Sequence, residues 1–162
     1  MNVIRNWLTA ERILPEHQDL EIRQVYVWNW TTDDKIVLVS KNGTSWQFPG
    51  GHPETGESID KAARREMWEE AGLDIGELET TFFGYYVITE ADENETQTYL
   101  QVRLKLSLGK SSSELDLQTH EVEGDNDSIK FVEAVTLEEA TSRISWLSST
   151  DEYKTVVTEL NQ

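Results

Sequence analysis

The stretch Gly51-His-Pro-Glu-Thr-Gly-Glu57-Ser58-Ile-Asp-Lys-Ala-Ala-Arg-Arg65-Glu66-Met67-Trp68-Glu69-Glu70-Ala71-Gly72-Leu73 decides how this chain is read. Its second half predicts a helix. Ser58 suits the N-cap, Asp60 falls in the positive first turn, and Gly72 suits the left-handed residue beyond the last turn. Glu66, Glu69 and Glu70 stand at i, i+3 and i+4, so a helix turns all three carboxylates to one side. At ~100° per residue that side also carries Ile59, Ala62 and Ala63. A solvated acidic face would sit opposite the small apolar residues, not among them. Three crowded carboxylates repel one another, and a divalent cation removes that repulsion. An oxygen-only donor set without cysteine suits Mg²⁺ or Mn²⁺. Pro49-Gly50-Gly51 lets the backbone turn sharply, and the Gly51 carbonyl can join a metal shell. Arg65 is the i to i+4 partner of Glu69, within reach of Glu57, and is expected to hold the carboxylates in place. His52, alone in the loop, is expected in solvent.

Outward from this helix the chain alternates strands and turns. Glu21–Trp30, Lys35–Ser40 and Trp46–Phe48 read as strands, with Lys41-Asn42-Gly43 as a hairpin turn. Thr80–Glu90 is rich in β-branched and aromatic residues. Gln97–Leu108 places Leu100, Val102, Leu104 and Leu106 on one face and Tyr99, Gln101, Arg103 and Lys105 on the other. Gly109–Asp127 is polar and reads as a long loop with a short strand near Glu121. Another strand follows at Ser128–Val135. Thr136-Leu-Glu-Glu139 and Ser149-Thr-Asp-Glu152 match the capping box and open two helices. Residues 1–20 are weakly patterned and read as an N-terminal arm or short helix before a single domain over 21–162. The expected architecture is an α/β sandwich around a mixed β-sheet.

Composition limits the partners. Among 162 residues, 31 are acidic and 14 basic, a net charge of -17. Nucleic acid is held mainly by Lys and Arg, so this surface disfavours it. A phosphorylated substrate must arrive with metal ions. No apolar run approaches the ~20 residues of a membrane span, and no leader pattern opens the chain, so the expected location is cytoplasmic.

The Gly51–Leu73 stretch resembles the Nudix box, Gly-x5-Glu-x7-Arg-Glu-U-x-Glu-Glu-x-Gly-U with U a bulky aliphatic. Gly51, Glu57, Arg65, Glu66, Met67, Glu69, Glu70, Gly72 and Leu73 fill its fixed positions. The resemblance implies a Nudix-like α/β/α sandwich and Mg²⁺-dependent hydrolysis of a nucleoside diphosphate linked to another moiety. It implies that Glu66 and Glu70 hold metal, joined by Glu69 and the Gly51 carbonyl, with Glu57 at the metal or one water away. Glu57, Arg65, Glu66 and Glu69 are the implied catalytic set. The general base is drawn from Glu66 or Glu69, or from a loop acid: Glu121, Glu123, Glu90, Glu93 or Glu95.

Substrate marks beyond the box are absent, which leaves a MutT-like default: a nucleoside triphosphate cut to monophosphate and pyrophosphate. Nucleotide sugars, ADP-ribose, dinucleoside polyphosphates and a non-catalytic nucleotide-binding role are the alternatives. A base is expected to stack on an aromatic among Trp28, Trp30, Tyr85, Tyr86 and Tyr99, and Arg23 and Arg103 are phosphate-clamp candidates. Trp68 lies on the polar side of the helix and is expected under a neighbouring element or at a homodimer contact.

Overall fold

A computed structural model describes residues 1–121 and 128–160. Eight strands and three helices occur among them: β1 (Asn2–Thr9), β2 (Ile22–Trp30), β3 (Lys35–Ser40), β4 (Trp46–Gln47), β5 (Gly50–Gly51), α1 (Ile59–Ala71), β6 (Thr81–Ala91), β7 (Thr96–Ser107), β8 (Phe131–Thr136), α2 (Leu137–Arg143) and α3 (Asp151–Leu160). One sheet has the order β1-β6-β7-β2-β5, and a smaller one the order β4-β3-β8. The β2–β7 pair is parallel and the others are antiparallel, so the larger sheet is mixed.

Two cores flank the sheets. Ala62, Ala63, Met67 and Ala71 of α1 join Val25, Val27, Val37, Val102 and Leu104 on one side. On the other, Ala140, Ile144, Leu147 and Val156 from the C-terminal region meet Trp28, Ile36, Leu38 and Phe48. The expected α/β/α sandwich is the observed fold. No helix among the described residues is long and apolar enough to cross a membrane.

The ends of α1 follow its sequence. Ser58 Oγ accepts the Lys61 N–H at 3.2 Å, and Gly72 takes φ 74°. Four local expectations need correction. Residues 1–20 hold no α-helix: β1 is an edge strand whose largely exposed side chains blur the alternation, and only a 3-10 turn, Pro15–His17, follows. The Pro49–Glu57 loop begins with β5, a two-residue strand pairing Gly50 with Tyr26 and Gly51 with Val25. Of the Gly109–Asp127 stretch, the described residues 109–121 hold no strand and a 3-10 turn at Ser112–Glu114 closes on Ser111, while 122–127 lie outside the described residues. The cap of α3 is Thr150, not Ser149: the Tyr153 N–H donates to Thr150 Oγ1 at 3.1 Å. Glu152 is therefore free of capping, and its carboxylate is fully buried.

Candidate active site

The β2–β5 ladder carries Gly50 and Gly51 against the acidic side of α1. Gly50 N–H donates to Glu70 Oε1 at 2.8 Å. Gly51 faces Glu66, where an added Cβ would stand 2.7 Å from Oε1. Glu66 and Glu70 are buried, at 8% and 5% exposure. Glu121, from the long loop, brings its carboxylate to them, and one oxygen of each of the three lies within 4.8 Å of the others. Glu123 lies outside the described residues.

Arg65 organises the exposed flank. Its Nε and Nη2 donate to the two oxygens of Glu57, each at 2.9 Å. Its Nη1 donates to Glu66 Oε1 at 2.9 Å and to Glu69 Oε2 at 3.2 Å, and its Nη2 also reaches the His52 carbonyl. Glu69 is thus tethered beside the buried cluster instead of entering it. His52 is exposed and contacts the Pro53 carbonyl and Glu21.

These neighbours set different proton affinities. Burial, with the charges of Glu66 and Glu121, pushes Glu70 up to about 9, although the Gly50 N–H works against it. Burial also raises Glu66, opposed by Arg65. Hydrogen bonds from Arg65 hold Glu57 down at about 2. Two carboxylates that resist ionisation, joined by a third, form a hard oxygen donor set whose missing element is positive charge. The chemistry and the burial fit a divalent cation, which Glu66, Glu70 and Glu121 could hold.

A cleft of about 770 Å³ lies on the α3 side of the sheet, lined by Arg5, Trp7, Tyr86, Arg103, Trp146 and Thr150 among others. It connects to the carboxylates through backbone register: Arg103 pairs with Tyr26, and Tyr26 with Gly50, whose N–H holds Glu70. Its floor is built on Glu152. That carboxylate accepts from Trp28 Nε1 at 2.8 Å, Tyr86 Oη at 2.9 Å and Arg103 Nε at 2.8 Å.

The other candidates separate. Tyr86 lines the cleft, whereas Trp28 is buried against Phe48 with ring centroids 4.3 Å apart. Tyr85 lies on the opposite face, bonded to Leu14 N–H and His17. Arg23 sits 3.8 Å over the Tyr99 ring and pairs with Glu21, while Tyr99 Oη donates to Glu90. Arg103 is in the cleft wall with its Nε committed to Glu152. Sequence reasoning missed Arg5, Trp7 and Trp146. The alternation of Arg5 and Trp7 along β1 was the available signal for two of them, and Trp146 carries none.

Comparison with known proteins agrees with this layout. The NUDIX domain family matches residues 21–154. Among solved structures, the chain is similar to the pyrophosphohydrolase BsRppH of Bacillus subtilis, solved as a mutant, at 18% identity over 83% of this chain and 77% of that one, TM-score 0.52. It is similar to an Ap4A hydrolase of C. elegans in a binary complex, at 19% identity over 86% and 98%, TM-score 0.54. It is also similar to a structure from work on MutT of Aliivibrio salmonicida and Vibrio cholerae, at 21% identity over 85% and 96%, TM-score 0.55. With the box complete, the acidic helix intact and the family matched across most of the chain, the protein belongs to the Nudix family as an enzyme of the Nudix type.

Proposed function

We propose that this protein is a Mg²⁺- or Mn²⁺-dependent hydrolase of nucleoside diphosphate derivatives, with a nucleoside triphosphate cut to monophosphate and pyrophosphate as its substrate. The observation that carries the reading is the buried Glu66–Glu70–Glu121 group, which the β7–β2–β5 register joins to a cleft walled by aromatic and arginine side chains. The activities named for the similar structures, a pyrophosphohydrolase and an Ap4A hydrolase, support the same bond class.

Each chain residue has a defined task in this reading. Glu66 and Glu70, with the Gly51 carbonyl and Glu121, would hold the cation, with Glu69 tethered to Arg65 at the edge of that group. When bound there, the cation supplies positive charge to the diphosphate oxygens and Lewis acidity towards water. Arg65 fixes Glu57, Glu66 and Glu69 relative to one another through its planar fork. Glu69, tethered on one side and open on the other, takes the proton of the attacking water. Trp7, Tyr86 and Trp146 offer ring faces to a nucleobase, and Arg5 offers positive charge to its phosphates, while Arg103, paired with Glu152, holds the cleft wall. Arg23 and Tyr99, on the same sheet, form a further contact for a longer substrate.

The test is a panel of nucleoside triphosphates, nucleotide sugars, ADP-ribose and dinucleoside polyphosphates with Mg²⁺ or Mn²⁺, read by phosphatase-coupled phosphate release. Metal-dependent turnover with highest kcat/KM on a triphosphate is expected. Turnover that survives EDTA overturns the metal requirement, and silence across the panel overturns hydrolysis itself.

A further inference from the structure

Trp68 is 47% exposed, so core packing does not account for a tryptophan at that position of α1. Its ring instead stacks on His120, with centroids 4.1 Å apart and planes inclined by 19°. His120 immediately precedes Glu121, the loop carboxylate of the acidic group.

The segment before Glu121 is fastened to the end of α1. Gln118 N–H donates to the Ala71 carbonyl at 3.2 Å, and His120 N–H to the Glu69 carbonyl at 2.7 Å. Thr119 Oγ1 donates to that same Glu69 carbonyl at 3.2 Å. These are carbonyls of the last helical turn, which have no partner within the helix. Gly72 makes the approach possible, because a Cβ there would stand 2.5 Å from the Gln118 carbonyl oxygen. Among the described residues of this segment, the last main-chain attachment to α1 is that of His120.

Glu121 then points its carboxylate towards those of Glu66 and Glu70. Its oxygen accepts from the Ile129 N–H, and its own N–H donates to Thr119 Oγ1 at 3.2 Å. The ring stack adds a restraint on the preceding residue from the helix that carries Glu66 and Glu70.

We propose that Trp68 and His120 form a stacked latch that sets the position of Glu121 in the metal-binding group, which makes Trp68 a positioning residue. The kinetic consequence rests on the hydrolase reading above; the metal-binding consequence does not.

The experiment compares full-length wild type with Trp68→Ala, His120→Ala, Trp68→Phe, Glu121→Gln and the double variant Trp68→Ala/Glu121→Gln. Mn²⁺ binding is followed by electron paramagnetic resonance, and kcat and KM are measured on the best triphosphate. Trp68→Ala and His120→Ala are expected to weaken Mn²⁺ binding and lower kcat by about 10–100-fold, the range for residues that orient metal ligands. KM is expected to stay near wild type, and Trp68→Phe, which keeps a stacking ring, to retain most of both properties. The double variant is expected to be no worse than Glu121→Gln, because Trp68 acts through Glu121. Wild-type Mn²⁺ affinity in Trp68→Ala, or losses that multiply in the double variant, overturn the latch. Weakened Mn²⁺ binding without hydrolysis of any nucleotide upholds the latch and overturns only the hydrolase reading.

Discussion

Gly51 and Glu66 approach so closely that the glycine's missing side chain is part of the carboxylate's seat: an added Cβ would stand 2.7 Å from Oε1 and 2.9 Å from Cδ of Glu66. At the neighbouring Gly50 an added Cβ would instead meet backbone, 2.0 Å from the Val25 carbonyl oxygen and 2.7 Å from Tyr26 Cα. The same substitution at adjacent positions should therefore fail in different ways. Gly51→Ala displaces a flexible carboxylate, so it folds normally and loses about 10–100-fold in kcat and metal affinity. Gly50→Ala forces strands apart and costs about 3 kcal/mol of stability. Chemical denaturation and Mn²⁺ titration of both variants separate the two outcomes.

Acidity should govern the metal-free protein in two windows of opposite sign. Glu70 is raised to about 9 in the fold from an ordinary value of 4.5, so the folded state holds the proton more tightly than the unfolded chain. Stability then falls as pH rises from about 4.5 to 9, and divalent metal should abolish that slope. Glu57, lowered to about 2, contributes stability above 4.5 that is lost as pH falls towards 2. Thermal melts in EDTA across pH 3–9 should give a maximum near pH 5. Glu70→Gln should flatten the alkaline limb while removing most of the turnover.

Glu152 should matter more to the fold than any exposed acid of this acidic chain. Removing it leaves the Arg103 guanidinium, which is 5% exposed, without its partner. Glu152→Ala is expected to cost about 3–5 kcal/mol, the range for breaking a buried ion pair from one side. The paired change Arg103→Met with Glu152→Leu should recover a large part of that loss. Urea denaturation of the single and double variants gives the comparison.

Salt should not weaken the encounter with substrate. The net charge of -17 repels nucleotide at long range, and of the cleft arginines Arg103 is already neutralised by Glu152. Screening over ~8–10 Å at physiological ionic strength reduces that repulsion. At fixed free Mg²⁺, kcat/KM should hold or rise from low salt to several hundred millimolar KCl. A steep decline would mean that Arg5 and Arg23 create a local field stronger than the global one.

The acidic helix was legible because everything that defines it is local: Ser58, Gly72 and the spacing of Glu66, Glu69 and Glu70 lie within fifteen residues of one another. The apolar face of β7 was legible for the same reason. What escaped depends on distant partners. β1 becomes a strand only by pairing with β6, and β5 only by lying beside β2. Glu121 was one loop acid among several until the end of α1 gathered its segment. The capping-box pattern assigned Glu152 to a local task, whereas its donors come from β2, β6 and β7. Arg103 was read as a phosphate clamp because its partner lies 49 residues away in the chain.

The bond from Trp28 to Glu152 spans 124 residues, and that span has a consequence for synthesis. A chain emerging from the ribosome can assemble α1 with β2 and β3 while its last helix is still unmade. Until α3 arrives, Trp28, Tyr86 and Arg103 lack their common acceptor, and the cleft lacks the wall that carries Trp146 and Thr150. Contacts of such sequence separation slow folding because chain entropy is lost before they form. The side of the sheet that carries α1 can therefore assemble before the side that carries the cleft, and the final docking step waits until α3 has been synthesised.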